Sequence, residues 1–350
     1  RQARTLSGGE VERVNLTSAL GASLVNTLFI LDEPSIGLHA RDNERLIGIL
    51  REVRAHGNTV VVVEHDPAIL RAAEHVIDLG PGSGELGGTI VAEGTVEAVA
   101  AAEGSLTGAY LSGRKRMPRP RERRCPRPGR AIRVRGASEN NLRSLDVDLP
   151  LDLFLVITGV SGSGKSTLLE DVLWKGYRAF AGEPIEGDVR ATSIAGFDLV
   201  DEVVLVDQSP IGRTSRGNPA TYTKVHDRIR QLFASSPDAK AAGFTARHFS
   251  FNVDGGRCPE CSGAGAIQVE MQFLSDVTLP CEACGGKRFK REVLRVRYRG
   301  RTIDEVLGMT VREAMGFFDH DPDLVNPLNF LDALGLGYLT LGQPLSTLSG

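Results

Sequence analysis

The sequence lacks long apolar runs, has few cysteines and carries almost no net charge. No stretch approaches the ~20 apolar residues that cross a bilayer, so no membrane-spanning helix is expected. No basic-then-apolar leader precedes the first motif, and the expected compartment is therefore the cytoplasm. The formal net charge of −3 gives no indication of nucleic-acid binding by total charge. Four of the five cysteines stand in two Cys-x-x-Cys pairs, which in a cytosolic chain indicates metal binding rather than disulfides.

Charge is unevenly distributed along the 350 residues, a length that predicts two or three domains. Nine basic residues and one acid, Glu122, lie between Arg114 and Arg130. This stretch is also rich in proline and offers little to bury, so residues 112–130 are predicted to form a linker. A second basic stretch runs from Lys287 to Arg301.

Apolar runs alternate with helical spacing, which predicts an α/β fold. The runs 28–31 and 60–63 are typical of buried parallel strands, and 41–56 has helical spacing that ends near Gly57. A second α/β unit is predicted to begin near Ala131. Its first buried strand is expected at 153–158, and another at 203–206. After Thr302 the chain is predicted to be helical, with Thr310 as an N-cap and Glu313 at the spacing of a capping box.

A glycine-rich segment directly after the run 153–158 fits the P-loop pattern G-x-x-x-x-G-K-[ST]. The glycines let backbone N–H groups surround phosphates, and the N-terminus of the next helix adds its positive dipole end. Lys165 is expected to reach the β- and γ-phosphates of ATP, and Ser166 to bind Mg²⁺. A flexible Gly/Ser loop is the alternative, which the complete motif after a predicted strand disfavours. The predicted ATP-binding residues are Gly159, Ser161, Gly162, Ser163, Gly164, Lys165, Ser166 and Thr167.

The start of the chain carries the ABC-ATPase signature, Leu-Ser-Gly-Gly-Glu, with Ser7, Gly8 and Gly9 predicted to contact the γ-phosphate of an ATP held by another domain. Taken alone, Ser-Gly-Gly is equally typical of an ordinary helix N-cap.

Two carboxylates and a histidine follow the signature in the order of an ABC domain. Asp32 ends the first strand and is predicted to hold Mg²⁺, and Glu33 is predicted to polarise the attacking water. His65 ends the next strand, at the position of the switch histidine that senses the γ-phosphate. A lone histidine would more often be structural, and here the ordered series favours the catalytic interpretation.

The order of the motifs predicts two half-domains. An ABC domain runs from P-loop to glutamine loop, signature, Asp-Glu strand and histidine, but here the last three precede the P-loop. Gln208 is the predicted glutamine loop of the second domain and a Mg²⁺ ligand. Thr-Leu-Ser-Gly at 5–8 recurs at 347–350, so the chain is interpreted as a window from a longer tandem protein.

The predicted domain organisation contains five segments. They are the C-terminal half of a first nucleotide-binding domain at 1–111, the linker at 112–130, the N-terminal half of a second domain at 131–248, a zinc module at 249–300, and a helical segment leading into a second signature at 301–350.

The two cysteine pairs form C-x₂-C-x₁₉-C-x₂-C. Four thiolates predict tetrahedral, structural Zn²⁺, with no ligand position left for a catalytic water. Reduced free thiols are the alternative. The predicted ligands are Cys258, Cys261, Cys281 and Cys284, and Cys125 in the linker is expected to be an unliganded thiol. The run from Cys258 to Gly265 also resembles the knuckles of DnaJ-type chaperones, but only two knuckles occur here.

Four arginines follow the zinc module at alternate positions, namely Arg295, Arg297, Arg299 and Arg301. In a strand they would share one face, which suits contacts to DNA phosphates. A solvated strand face is an equally good interpretation.

Several segments are similar to the UvrA family, the ABC-type ATPases of the excinuclease system. They include the P-loop read as 158–166, the run 206–214 and the run 217–223. Phe249-Ser-Phe-Asn-Val253 and the run 31–39 belong to the same resemblance, which covers nearly the whole chain.

The resemblance implies α/β ABC-type P-loop domains with a zinc-ribbon-like module. It further implies a cytoplasmic, dimeric ATPase of nucleotide excision repair and the SOS response. Such a protein uses ATP, Mg²⁺ and Zn²⁺, binds double-stranded DNA with lesions, and loads a UvrB-type helicase without being the nuclease itself.

The sequence leaves three alternative functions to consider. A paralogue that protects its producer from a DNA-binding antibiotic fits the same residues. The ATPase component of a transporter would not explain the zinc module, and a zinc chaperone module would not explain the P-loop. Because the second Asp-Glu strand of the family is absent from these residues, the chain is expected to bind ATP and scarcely turn it over.

Overall fold

The computed structural model describes residues 24–120, 122–206, 216–269 and 277–347. They form two compact units. Unit 1 comprises Ile90–Val206 with the residues up to Leu79, and unit 2 comprises Gly80–Thr89 with the residues after Val206. In the described ranges no helix is long and apolar enough to cross a membrane.

The strands and helices alternate in unit 1, whereas unit 2 is mainly helical. The strands are β1 Leu28–Asp32, β2 Thr59–Val63, β3 Val76–Gly80, β4 Thr89–Gly94, β5 Ala131–Ala137, β6 Leu145–Pro150, β7 Ser193–Ala195, β8 Ala266–Val269 and β9 Val277–Pro280. The α-helices are α1 Ala40–Ala55, α2 Pro67–Ala72, α3 Val96–Ala101, α4 Leu106–Leu111, α5 Lys175–Phe180, α6 Pro219–Tyr222, α7 Val225–Ser235, α8 Pro237–Ala241, α9 Ile303–Leu307, α10 Val311–Phe317 and α11 Pro322–Ala333.

In unit 1, β1 and β2 are parallel neighbours, as predicted, with Leu28 opposite Thr59 and Asp32 opposite Val63. Helix α1 between them buries Leu46 against the sheet and ends where Gly57 adopts a positive φ of 81°, so the predicted C-terminal glycine is confirmed. The predicted burial of both faces is wrong. Ile30 is 70% exposed, because within the described residues this sheet has two strands and only one of its faces is covered.

A second sheet of unit 1 is antiparallel, with the strand order β6-β5-β7. Its buried residues Val134 and Ala137 pack on Leu168 and Val172. Leu168 and Val172 belong to the helix that follows the P-loop. The first part of that helix, Thr167–Trp174, is a π-helix, and it continues into α5. The sheet therefore supports one side of the P-loop helix.

Two predicted buried strands are absent from the structure, at 153–158 and 203–206. Residues 154–158 adopt no regular structure, with Phe154 96% exposed, and Val206 is 87% exposed. An apolar run becomes a buried strand only when neighbouring strands satisfy its N–H and C=O groups. No described strand pairs with either run.

Unit 2 is built on one helical core. Helix α7 turns Val225, Ile229 and Phe233 inward at helical spacing, and Phe233 contacts Phe249 with ring centroids 5.4 Å apart. The predicted N-cap of α10 is confirmed. The Thr310 side chain accepts from the Glu313 N–H, and the Glu313 carboxylate accepts from the Thr310 N–H at 2.8 Å.

Candidate functional site

The P-loop is a tight turn whose glycines have no room for side chains. Gly159 has φ 152°, and a Cβ there would stand 2.8 Å from the Ser163 hydroxyl. Gly164 has φ 100°, and its Cβ would stand 2.9 Å from a methyl of Leu142. The chain enters a helix at Lys165, so the N–H groups of this first turn lie at the end of the loop.

Lys165 and Ser161 show that this loop fits a phosphate. The Lys165 ammonium donates to the carbonyls of Gly159 at 2.7 Å and Val160 at 2.9 Å, which places it across the mouth of the loop. The Ser161 hydroxyl is buried and has no partner among the described residues. A buried hydroxyl without a partner costs free energy that a bound oxyanion would recover. Ser166 is exposed at the start of the helix, where it can reach a metal ion.

Sequence reasoning missed Asn141, which holds the P-loop from outside. Its side-chain amide donates to the Gly162 carbonyl at 2.9 Å, and its neighbour Asn140 donates to the Asp171 carboxylate at 3.1 Å. These bonds tie the loop and the helix after it to the turn before β6. No motif marks Asn141, because its contact joins positions 21 residues apart.

The structure brings Glu33 and His65 together at the carboxyl ends of β1 and β2. The Glu33 Oε1 and His65 Nε2 atoms are 3.2 Å apart. The Glu33 N–H continues the strand pairing by donating to the Val63 carbonyl, while its φ of 45° turns the side chain out of the sheet. Asp32 is exposed beside it. A carboxylate in contact with an imidazole at a sheet edge can position and deprotonate a water molecule.

Glu64 organises this edge, a role that the sequence did not reveal. One carboxylate oxygen accepts from the Ser35 N–H at 2.9 Å, and the other accepts from the N–H groups of His65 and Asp66. Burial raises the pKa of Glu64, but the hydrogen bonds from Ser35, Asp66 and His65 together bring that pKa below its ordinary value. The loop after Glu33 and the segment carrying His65 are thus tied to one anionic group.

We expect Glu64→Gln to loosen both segments, because an amide has one accepting oxygen and cannot serve all three N–H groups. Hydrogen exchange of the Ser35 and His65 amides should accelerate about fivefold, for a lost bond of roughly 1 kcal/mol. Glu74→Gln, at an exposed carboxylate on the same unit, is the control. Since the folded-state pKa of Glu64 is lowered, its stabilisation is present above the ordinary pKa and is lost as pH falls through the folded value. Equal exchange in the two variants would contradict the assignment.

The four predicted metal ligands converge in unit 2. All four sulfurs lie within 4.8 Å of one another, with Cys258 and Cys281 separated by 3.9 Å and Cys261 and Cys284 by 3.8 Å. Four sulfurs about 2.3 Å from one zinc ion stand about 3.8 Å apart, so the donor set fits tetrahedral zinc. The antiparallel hairpin of β8 and β9 joins the two knuckles, and Cys125 lies exposed elsewhere.

Burial makes two of these thiols, Cys258 and Cys284, poor anions in the absence of a cation. It raises the pKa of Cys284 to about 12 and also raises the pKa of Cys258. The Cys281 pKa is lowered, chiefly by the Cys284 N–H. A divalent metal has to displace protons from these sulfurs, and its charge then stabilises the buried thiolates.

The predicted arginine face is wrong, because residues 293–301 do not form a strand. Val293 and Val296 are buried at a spacing of three residues, which winds 293–295 into a short 3₁₀ helix. Arg299 and Gly300 then form a tight turn with positive φ, closed by hydrogen bonds between Tyr298 and Arg301.

The four arginines consequently have different surroundings. Arg299 donates to the Phe317 carbonyl at 2.6 Å, and Arg297 donates to the Gly300 carbonyl at 2.7 Å. Arg301 lies near Glu313, whereas Arg295 is exposed with no side-chain bond to the described residues.

Four further predicted site residues lie outside the described residues, namely Ser7, Gly8, Gly9 and Gln208.

Comparisons with known proteins cover the whole chain. No family model matches. The chain is 55% identical over 350 residues to UvrABC system protein A of Methanothermobacter thermautotrophicus and 54% identical to that of Aquifex aeolicus, in both cases along 100% of this chain. It spans 36% and 38% of the lengths of these relatives.

A solved structure agrees with the sequence relatives. The crystal structure of UvrA2 from Deinococcus radiodurans superposes with a TM-score of 0.92 at 43% identity, over 99% of this chain and 41% of that one. The P-loop, the Glu33–His65 contact and the four-cysteine cluster therefore lie in a fold shared with these proteins. Taken together, the site geometry and the identities along its full length show that the chain belongs to the UvrABC system protein A family, an ABC-type α/β ATPase family.

Proposed function

We propose that this chain is part of the ABC ATPase that recognises damaged DNA in nucleotide excision repair. The observation that carries the proposal is the closed P-loop, with Lys165 across its mouth and the Ser161 hydroxyl unpaired, in a chain 55% identical to a UvrABC system protein A. Nothing in the comparisons supports an antibiotic-resistance paralogue, a transporter ATPase or a zinc chaperone.

The proposed cofactors are ATP, Mg²⁺ and Zn²⁺. The P-loop from Gly159 to Thr167 would hold the phosphates of ATP, and Ser166 with Gln208 would hold its Mg²⁺. Asp32, Glu33 and His65 would serve a separate ATP site, which another signature would cap. There Asp32 would bind Mg²⁺, Glu33 would polarise the attacking water, and His65 would sense the γ-phosphate. Ser7, Gly8 and Gly9 would cap the ATP on Lys165. Zinc in the four-cysteine cluster would have a structural role.

The proposed partners are double-stranded DNA with lesions, a UvrB-type helicase and a second copy of the full-length protein. These follow from the family to which the chain belongs and from its relatives' common name. We place the activity in the cytoplasm, and we assign no nuclease step to this protein.

We propose that DNA is contacted through its phosphates and that the basic turn at 295–301 contributes. Arg295 and Arg301 are exposed, and their guanidinium groups lack hydrogen-bonded partners in the described part of unit 2. Arg297 and Arg299 are engaged within the fold and are weaker candidates despite the same charge.

We expect Arg295→Glu with Arg301→Glu to weaken duplex binding and to reduce its salt dependence, because each lost phosphate contact lowers the log–log salt slope by about 0.9. In the presence of ATP, the affinity for lesion-containing and for undamaged duplexes is measured by fluorescence anisotropy at a series of salt concentrations from low to physiological. The control is the double variant Arg45→Glu with Arg51→Glu on α1, which changes the net charge by the same amount. An unchanged affinity and slope would remove this turn from the DNA interface, and equal weak binding of damaged and undamaged DNA would contradict the proposed function.

A further inference from the structure

Unit 2 contains a small polar cavity at the N-terminus of α7, with no cysteine in its lining. Its volume is about 180 Å³, below the ~300–1,000 Å³ of pockets for drug-sized ligands. Its lining is entirely polar or charged, and consists of Thr221, Lys224, His226, Asp227, Arg230, Ser250 and Asn252. A space of this size and polarity suits a small, hydrophilic ligand.

Buried donors at this cavity have no partners. His226 is 3% exposed, and its Nε2 atom makes no hydrogen bond to any described residue. The Arg230 Nε atom is likewise buried and unpaired, although another nitrogen of the same guanidinium contacts Asp227. Native structures leave few buried polar groups unpaired, and those they leave call for a ligand or ordered water.

The electrostatic field in the cavity favours an anion. Lys224 takes a left-handed conformation at the N-cap of α7 and makes no capping bond from its side chain, so the first N–H groups of this 11-residue helix lack a side-chain cap. The one carboxylate of the lining, Asp227, is ion-paired with Arg230, which leaves the charge of Lys224 uncompensated among the lining residues. Arg288 lies outside the lining but is buried, has an unpaired Nη1 and is close enough for its charge to act on His226.

The histidine supplies a donor without supplying charge. Burial, followed by the charge of Arg230, lowers the pKa of His226 to about 3, with Asp227 opposing and Arg288 adding to the shift. Its ring is fixed against Phe251, with centroids 4.5 Å apart. A neutral, fixed imidazole can present Nε2–H to an oxyanion at physiological pH.

We propose that this cavity is a binding site for a single phosphate group, held by the α7 N-terminus, Lys224, Arg230 and the His226 Nε2–H. The phosphate can be inorganic phosphate or a phosphate of a nucleic-acid backbone, and the second source rests on the proposed function. The site is separate from the P-loop, which lies in unit 1.

The test uses the 350-residue chain with Lys165→Ala, so that the P-loop does not report phosphate. Inorganic phosphate is titrated into a phosphate-free buffer, and the ¹⁵N resonance of His226 Nε2 is followed by NMR. We expect a saturable shift, with binding roughly tenfold or more weaker in Arg230→Gln, since a bond to a charged donor is lost. Lys240→Gln, on the exposed surface of α8, removes the same charge and should bind phosphate as the parent does. In a second variant, His226→Phe, the binding of inorganic phosphate is measured by calorimetry, because the histidine resonance is absent.

A short duplex DNA added in place of phosphate distinguishes the sources. A shift at His226 with inorganic phosphate assigns a free anion site, and a shift with DNA alone assigns a backbone contact. No saturable shift with either probe, or equal binding in Arg230→Gln and its parent, would leave water as the occupant and overturn the proposal.

Discussion

Replacing Cys281 by serine should remove the metal from this chain and unfold the segment between its two knuckles. Three thiolates and a hydroxyl bind zinc far more weakly than four thiolates, and zinc contributes about 10–16 kcal/mol to the folding of small zinc modules. The hairpin that it supports has strands of only four residues, β8 and β9, which are too short to be stable alone. Loss of the metal therefore removes the main stabilising interaction of this segment.

Elemental analysis should give one zinc per chain in the parent and well under half of that in Cys281→Ser. Hydrogen exchange at Ile267 and Leu279, which face each other in the hairpin, should lose its protection in the variant. Cys125→Ser is the matched control, since that thiol is exposed and lies outside the cluster. Freshly purified parent protein with far less than one zinc would show that the cluster holds reduced thiols.

The chain of 350 residues should bind Mg-ATP and hydrolyse it roughly a hundredfold or more slowly than a full-length relative, because positioning and deprotonating water contribute about 10²–10⁴-fold. The sequence has one Asp-Glu-Pro motif, and it precedes the P-loop instead of following it. From this order we predict that Glu33 belongs to a different ATP site from Lys165. At the Lys165 site the γ-phosphate would be bound without a carboxylate to place the attacking water.

Nucleotide binding and phosphate release are compared with those of the full-length Aquifex aeolicus relative. Lys165→Ala should abolish ATP binding. Lys175→Ala should not, because Lys175 lies farther along the chain in α5 and its ammonium bonds to the Asp188 carbonyl. Glu33→Gln should leave the small residual rate unchanged. Phosphate release near the relative's rate, lost in both Lys165→Ala and Glu33→Gln, would place Glu33 in the Lys165 site.

Local motifs were predictable from the sequence. The P-loop conformation depends on Gly159 and Gly164, at which side chains would collide with neighbouring atoms, and on a helix that begins at Lys165. The cysteine pairs sit in knuckles whose spacing already matches tetrahedral coordination. The capping box of Thr310 and Glu313 spans three residues. Within the capping box, the P-loop turn and each Cys-x-x-Cys knuckle, the residues lie close in sequence, so that the residue types and their spacing determine the local geometry. The two knuckles meet across 23 residues, and their joining was predicted because four cysteines in this pattern are typical of one zinc site.

Other features depended on contacts between distant segments, which only the tertiary structure decided. The apolar run 153–158 has the composition of a buried strand, yet it lacks a pairing partner among the described strands and is exposed. Alternating arginines predicted a strand at 295–301, but burial of Val293 and Val296 in the unit 2 core imposed a turn. Asn141 is placed by a contact across 21 residues. A residue pattern specifies which side chains can be buried, and the available packing partners decide which of them are, because burial and strand pairing stabilise a segment only when a complementary surface meets it.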